Sequence, residues 1–501
     1  MSGMKKTMWL TLPAVLVLYI VLSGCTVPVS SGSGIHESTV PEDTGEEVTL
    51  KWYLAGSGEE PDIQRIMEEV NKYLDDIQNV TLELNVFTPG DDYNRKINAL
   101  LAAREQVDIV FTSNMETQYS QNATSGYFTK LNGYLDKYPA IRRIVGEKFL
   151  NGSAVNGKHY AVPANKEKAH NWGFLLKKSL VDKYNMDVNN IISIEELEPF
   201  LDIIKDNETG ITPLLIAGMD SPFRILDWDY ICDEDVPGAL YPNNRGTTIT
   251  NQFLTSESRI YYSIIRDWFN KGYIHEDSAI YRNQYELMKS GKYFAVGQFL
   301  MPGRNVEVNA ATGINWVQVD ITKPVISNRE ATDALLAIPV GSRNPEQAFR
   351  FIGLLYTDQY ILNLLNYGIE DIHYTKISEN VVRLSYSENS GYNPGYGLKF
   401  GDCFKNFLTE GEDLNKWNKI DEYNHSGILL NSLGFVFDRT DFEIQISACR
   451  NVVQAYCKEL FSGSVEVAPT VKQFEEELKI AGADELITEM QRQYDAWREM
   501  K

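Results

Sequence analysis

Several aromatic side chains in this 501-residue sequence stand beside carboxylates or carboxamides in segments that read as loops. Trp172 follows Asn171, and Trp228 lies between Asp227 and Asp229. Tyr392 and Tyr396 occupy a stretch rich in Gly, Asn and Pro. That pairing suits the recognition of a ring bearing hydroxyls. An aromatic face covers the C–H surface, and neighbouring Asp, Asn, Gln or Arg groups donate to and accept from the hydroxyls. Any one of these rings serves equally well in ordinary packing. As a group they supply candidate stacking platforms.

Signatures of catalysis are missing. There is no Gly-x-Ser-x-Gly elbow, His-Glu-x-x-His pair, Walker loop or dinucleotide-binding glycine fingerprint. The six histidines are scattered without metal-ligand spacing, and Asp413 to Glu422 lacks the central glycine of a calcium loop. No metal or cofactor is expected. Glycoside hydrolysis needs only two carboxylates, and 69 acidic residues supply pairs by chance, so a surface glycoside hydrolase stays open as an alternative. A net charge of −22 argues against a nucleic-acid partner, which requires a basic face.

The N-terminus reads as a leader. Lys5 and Lys6 precede an apolar run, Trp9 to Leu22, that is short for a permanent span. It ends Leu22-Ser23-Gly24-Cys25, which resembles the bacterial lipobox, cut before the cysteine that then carries lipid. Residues 1–24 are therefore expected to be a signal peptide, and 25–47 a lipidated cysteine followed by a disordered Ser/Gly/Thr/Pro tether. The remaining cysteines, Cys232, Cys403, Cys449 and Cys457, fit neither a zinc site nor a disulfide framework. They read as buried thiols, with a Cys232–Cys403 bond as the unsupported alternative.

The elements that would position the aromatics begin at Val48. Val48 to Leu54 and Val80 to Phe87 alternate as strands; Asp62 to Leu74 and Asp91 to Arg104 carry helical stripes. Val107 to Phe111 is a short apolar strand. This order predicts a mostly parallel sheet, with Ser57 and Thr112, Ser113 and Asn114 on the rim beyond the strand ends. Further along, helices are expected over 134–145, 194–205 (Ser193 as N-cap, Glu196 completing the box), 259–271, 345–365 and 471–500. Strands are expected over 293–297, 316–319 and 333–339.

Several segments together resemble one family. The opening block is similar to the first lobe of extracellular family 1 solute-binding proteins of ABC transporters. Asn156-Gly157-Lys158-His159-Tyr160-Ala161-Val162-Pro163 resembles their approach to the hinge, and Asp333 to Pro339 with Ser342, Asn344 and Pro345 resembles their return to the first lobe. Asn363 to Tyr374, Ser432 to Asp438, and Leu478 to Asp484 with Glu489 to Trp497 resemble the LplA-like lipoprotein branch of Gram-positive bacteria, which carries an additional C-terminal domain. Asp371 stands where that branch has glycine.

The resemblance implies an α/β, two-lobe, periplasmic-binding-protein-like fold with a hinge, a ligand cleft and a C-terminal α-rich extension. The expected division is lobe 1 over 48–164, lobe 2 over 165–330, a return to lobe 1 and the hinge over 331–400, and an extension packing on lobe 2 over 401–501. It also implies a lipid-anchored, extracytoplasmic, non-enzymatic monomer that captures a carbohydrate and delivers it to ABC permeases; a sensory role is the other alternative. Candidate ligand residues are Ser57, Thr112, Ser113, Asn114, Trp172, Trp228 and Tyr396. The family's cleft-facing positions add Asn165, Lys166 and Gln298. Pro163 and Pro339 are hinge candidates. Glu370 and His373 match the branch motif, either at the ligand or as a buried pair tying the hinge.

Overall fold

A computed structural model describes residues 47–57, 60–385 and 391–500, all within one compact unit, Glu42–Lys501. Cys25, the leader and nearly all of the tether lie outside the described residues.

Lobe 1 is built on β1 (Val48–Ala55), β2 (Val80–Phe87), β3 (Ile109–Thr112) and β4 (Ala161–Pro163). Alternation in β1 sends Leu50, Trp52 and Leu54 fully into the core, where Trp52 meets Phe351 and Phe400 edge-on, with ring centroids 5.6 and 5.0 Å apart. The chain then enters lobe 2 with β5 (Asn171–Lys177), β6 (Thr212–Leu215), the short pair β7 (Asp229–Tyr230) and β8 (Ala239–Leu240), β9 (Tyr293–Leu300) and β10 (Trp316–Asp320). It comes back through β11 (Val325–Ile326) to β12 (Leu335–Ala337). A three-stranded sheet follows, of β13 (Tyr374–Ser378), β14 (Val381–Leu384) and β15 (Leu408–Thr409), and then β16 (Ile428–Leu429).

The lobe 1 sheet has the order β2-β1-β3-β12-β4 and is parallel only across β2, β1 and β3. β12 is antiparallel to both neighbours, which corrects the expectation of a mostly parallel sheet. The reason is topological: β12 enters from the other lobe, so Leu335 at its start pairs with Thr112 and Pro163 at the ends of β3 and β4. The lobe 2 sheet, β10-β5-β9-β6, is likewise mixed. Gly173 in β5 is packed so tightly that a Cβ there would stand 2.1 Å from the Val319 carbonyl oxygen. Gly173→Ala is expected to cost about 3 kcal/mol, because backbone rather than a side-chain tip must yield. Urea unfolding of the two proteins measures the difference.

Three expected helices are divided, each at a residue with its own reason. Pro139 separates Asn132–Lys137 from Ala140–Val145. Asp358 accepts from the Tyr360 and Ile361 amides, at 2.8 and 3.3 Å, and starts a second helix, Gln359–Tyr367, after Pro345–Thr357. Gly482, at φ 88°, stops Val467–Ile480 before Ala483–Glu499. Ser193 makes only half of its box: its amide donates to Glu196, while its hydroxyl does not cap the helix.

The chain crosses between the lobes three times, and the crossings are tied together. His170 bridges Val325, Asn165 bridges Asp402, and β11 pairs with β16. Asn424 accepts from the Lys168 amide and donates to the Lys166 carbonyl, at 2.6 and 2.9 Å. The stretch 401–430 packs on lobe 1 and the crossings as well as on lobe 2: Cys403 is in the first core, while the Tyr423 hydroxyl reaches the Leu300 carbonyl at 3.3 Å and the Leu429 carbonyl accepts from Asn244 at 2.9 Å. Phe435 is the first residue of the C-terminal region in the lobe 2 core, and the helices Glu443–Ser462, Val467–Ile480 and Ala483–Glu499 complete that core, with Phe461 stacked on Phe223 at 4.5 Å. All four cysteines of the described residues are free thiols; Cys232 packs beside the lobe 2 core and Cys403 lies inside that of lobe 1.

Candidate functional site

A cavity of about 790 Å³ opens between the lobes, within the size range of small-ligand pockets. Lobe 1 contributes Asn114 and the start of the helix Tyr119–Thr124; lobe 2 contributes Arg224 and the run from Asp227 to Glu234. Trp172 comes from the start of β5, the crossings supply His170 and Ser327 to Arg329, and the C-terminal region supplies Phe435 to Thr440 and Arg450.

Of the sequence candidates, three are brought together here: Asn114, Trp172 and Trp228. The Asn114 side chain donates to the Thr332 hydroxyl at 3.0 Å and accepts from Ser120. Trp172 lies edge-on to Phe299 at 5.8 Å, with the Arg224 guanidinium 5.7 Å from its ring. Trp228 packs on Tyr241 at 5.0 Å, and its buried indole N–H has no hydrogen-bond partner among the described residues.

The other candidates lie elsewhere, for local reasons. Thr112 bonds the Thr117 hydroxyl at 2.6 Å and Ser113 accepts from the Glu116 amide at 2.7 Å, so both shape the loop that presents Asn114. Ser57 pairs with Glu60 on the outside of lobe 1. Tyr396 is buried in the lobe 1 core beside Phe400. Gln298 turns to Gln284. Asn165 donates to Asp402 at 2.6 Å, and Lys166 is enclosed between Glu167 and Asp333 at 2.6 and 2.9 Å, so both belong to the crossings.

Among the structural candidates, Pro163 adjoins the first crossing and its carbonyl accepts from the Tyr356 hydroxyl at 2.7 Å. Pro339 lies past the far end of β12, bridged to Phe128. Glu370 and His373 do not pair with each other. Glu370 is exposed and joins Lys376 at 2.8 Å, while buried His373 reaches Asp62 at 3.1 Å within lobe 1, away from the crossings.

The densest electrostatics of the cleft join His170 and Glu330, which the sequence does not single out, to Asp227 and Asp229, which it gives only as the neighbours of Trp228. His170 Nδ1 is 2.9 Å from Glu330, and Nε2 is 3.8 Å from Asp227. Burial would lower the His170 pKa, but the Glu330 and Asp227 carboxylates outweigh it and hold the imidazole above its usual value. Burial alone would raise Glu330; His170 and the Ser327 bonds pull it down to about 2. Asp227 has weaker partners, and burial pushes it up to about 7. Burial lifts Asp229 to about 6 against the opposing donors of Ser432. One sequence signal was available: Ser327-x-x-Glu330 is a capping box, and both of its bonds form. Among the described residues no group of His, Cys, Asp and Glu could hold a metal ion, and no helix is long and apolar enough to cross a membrane.

Two lobes, three crossings and an interlobe cavity define the class: the chain has the two-lobe fold of solute-binding proteins. The resemblance read from the sequence, to the extracellular solute-binding proteins of ABC transporters, is borne out over nearly the whole length. The chain is 26% identical over 473 residues, 92% of its own length and 93% of the relative's, to a carbohydrate ABC transporter substrate-binding protein of Streptococcus pneumoniae serotype 4. Among solved structures, an N-glycan transport solute binding protein from Streptococcus pneumoniae matches with TM-score 0.79 at 24% identity, covering 89% of this chain and 98% of that one. Its complex with Man5GlcNAc matches at 0.67, covering 90% and 99%. An HMO-binding ABC-transporter-associated solute binding protein from Bifidobacterium longum infantis matches at 0.62 with 16% identity, covering 90% and 99%. Residues 431–499 match a domain of unknown function, DUF3502.

Proposed function

We propose that this chain captures an oligosaccharide between its two lobes and passes it, chemically unchanged, to an ABC importer. The observation that carries the reading is the interlobe cavity, in which Trp172 and Trp228 stand among Asp227, Asn114 and Arg329. Rings beside a mixed donor and acceptor set match a sugar's two kinds of surface. The likeness to a carbohydrate transport protein over nearly the whole chain supports the same reading. Three crossings allow the lobes to close on a ligand, and differential affinity for the closed state is the mechanism. Asn114, Trp172 and Trp228 are the binding residues within this proposal. Within the same proposal, residues 1–24 act as a signal peptide and a lipid on Cys25 anchors the chain outside the cytoplasm, where it works as a monomer with membrane permease subunits as its partners.

The test is calorimetric titration of the purified chain with neutral and acidic oligosaccharides, each mixture then chromatographed for cleavage. Saturable binding without new products supports the proposal; cleavage overturns it in favour of a hydrolase. In the same titration Trp172→Ala is expected to weaken binding about tenfold, the equivalent of about 1.4 kcal/mol of lost stacking, while Trp172→Phe keeps most of it.

A further inference from the structure

We propose that the C-terminal domain of unknown function is a working part of the cleft: it fixes the loop 229–236 so that Glu234 holds Arg224 against Trp172. This rests on the carbohydrate reading and adds the residues that shape recognition.

The loop carries three successive acids, Asp233, Glu234 and Asp235, whose like charges repel unless cations meet them from different sides. Asp233 and Asp235 meet the C-terminal domain. Arg450 Nε donates to Asp235 at 3.0 Å and its Nη2 donates to Asp233. One helical turn on, Gln454 donates to the other Asp235 oxygen at 3.0 Å, and Arg439 stands 3.5 Å from Asp233. Glu234 meets the opposite side. It accepts from Arg224 Nη2 and Nε, at 2.8 and 3.2 Å, while Nη1 donates to Asp220 at 2.8 Å, and that guanidinium lies over the Trp172 ring. At the loop's other end, buried Asp229 accepts from the Ser432 amide at 3.1 Å and from its hydroxyl. The loop is thus bracketed at both ends by residues of 431–499. Arg450 is a positioning residue: it acts on Arg224 through the acidic turn, which the Val236 amide closes onto the Asp233 carbonyl at 3.0 Å.

Two readouts on the full chain test this. In ligand-free hydrogen exchange, Arg450→Gln is expected to speed the Ile231, Val236 and Gly238 amides at least about tenfold while β5 and β9 stay unchanged. In titrations with Man5GlcNAc as the probe, Arg450→Gln and Arg224→Gln each weaken binding about tenfold, and the double variant is no weaker than either, because both break one device. Asp235→Asn serves if Arg450→Gln does not fold, and Arg450→Lys recovers part of the affinity. Unchanged loop exchange overturns the proposal, as do additive losses, which would make Arg450 an independent ligand contact. If the unaltered chain binds no oligosaccharide, the carbohydrate reading fails, while the exchange arm still decides whether the domain holds the loop.

Discussion

Lys166→Met is expected to destabilise the protein by about 3 kcal/mol at pH 7.5, although Met fills nearly the same volume. The Lys166 side chain is 8% exposed, with Glu167 at 11% and Asp333 at 29%. Burial by itself would release the Lys166 proton, but the Asp333 and Glu167 carboxylates outweigh it and hold the ammonium above its usual range. Removing the cation leaves two carboxylates facing each other in the crossings, and breaking such a pair costs more than the pair contributes. The partial exposure of Asp333 sets the expectation at the low end of that range. Urea unfolding is the measurement, with Lys166→Met/Asp333→Asn as the rescue. A loss below about 1 kcal/mol, or no rescue, shows that the three groups do not act as a unit.

The second large effect runs the other way. Asp227→Asn is expected to stabilise the chain by about 2 kcal/mol at pH 7.5 and to weaken saccharide binding about thirtyfold, the equivalent of about 2 kcal/mol for a hydrogen bond to a charged group. Burial lifts the Asp227 carboxyl from 3.8 to about 7, a penalty of at most about 4 kcal/mol on the ionised native form. That net shift already contains the opposing attraction to His170, and a buried amide in its place recovers only part of the penalty, because it too must be desolvated. The sign follows from proton binding. From about pH 4 to 7 the native state holds a proton that the unfolded chain has already lost, so stability falls as pH rises through that window. The variant has no such loss, so its advantage opens between pH 4 and 7 and stays level above. His170, held above its usual value, adds in the same direction: its stabilisation is complete below about 6.5 and is lost as pH passes its native pKa. Unfolding at pH 5 and 7.5, with a titration at each, checks both halves. A variant that is more stable and binds equally well would remove Asp227 from the site. The expected trade is that the protein keeps a destabilising carboxylate, one of whose buried oxygens has no hydrogen-bond partner among the described residues, for its ligand.

Local pattern carried much of the fold. β1 and β2 were legible because Leu50, Trp52 and Leu54 alternate with polar residues, and the helix Ile63–Gln78 because Ile66, Val70 and Leu74 share a face. The reversal of β12 was not legible, since strand direction depends on which lobe the chain comes from. Gly482 ended a helix whose apolar stripe continues beyond it, and periodicity alone reads through such a stop. The candidate site was legible where chemistry is contiguous, as at Asp227-Trp228-Asp229. It was illegible where residues meet across long stretches of chain: His170 with Glu330, Arg450 with Asp233. Asn165 and Lys166 show the converse, polar residues at the hinge whose partners are other crossings, because a group buried there must be paired within the protein.

A crystal structure of the chain grown with Man5GlcNAc, or with whichever oligosaccharide the calorimetric panel selects, decides whether the interlobe cavity holds the ligand. Saccharide density is expected in the interlobe cavity, with rings against Trp172 or Trp228, hydroxyls on Asp227 and Asn114, and Arg224 still held by Glu234. Density on an outer face of either lobe, or a cleft empty at saturating ligand, would contradict it.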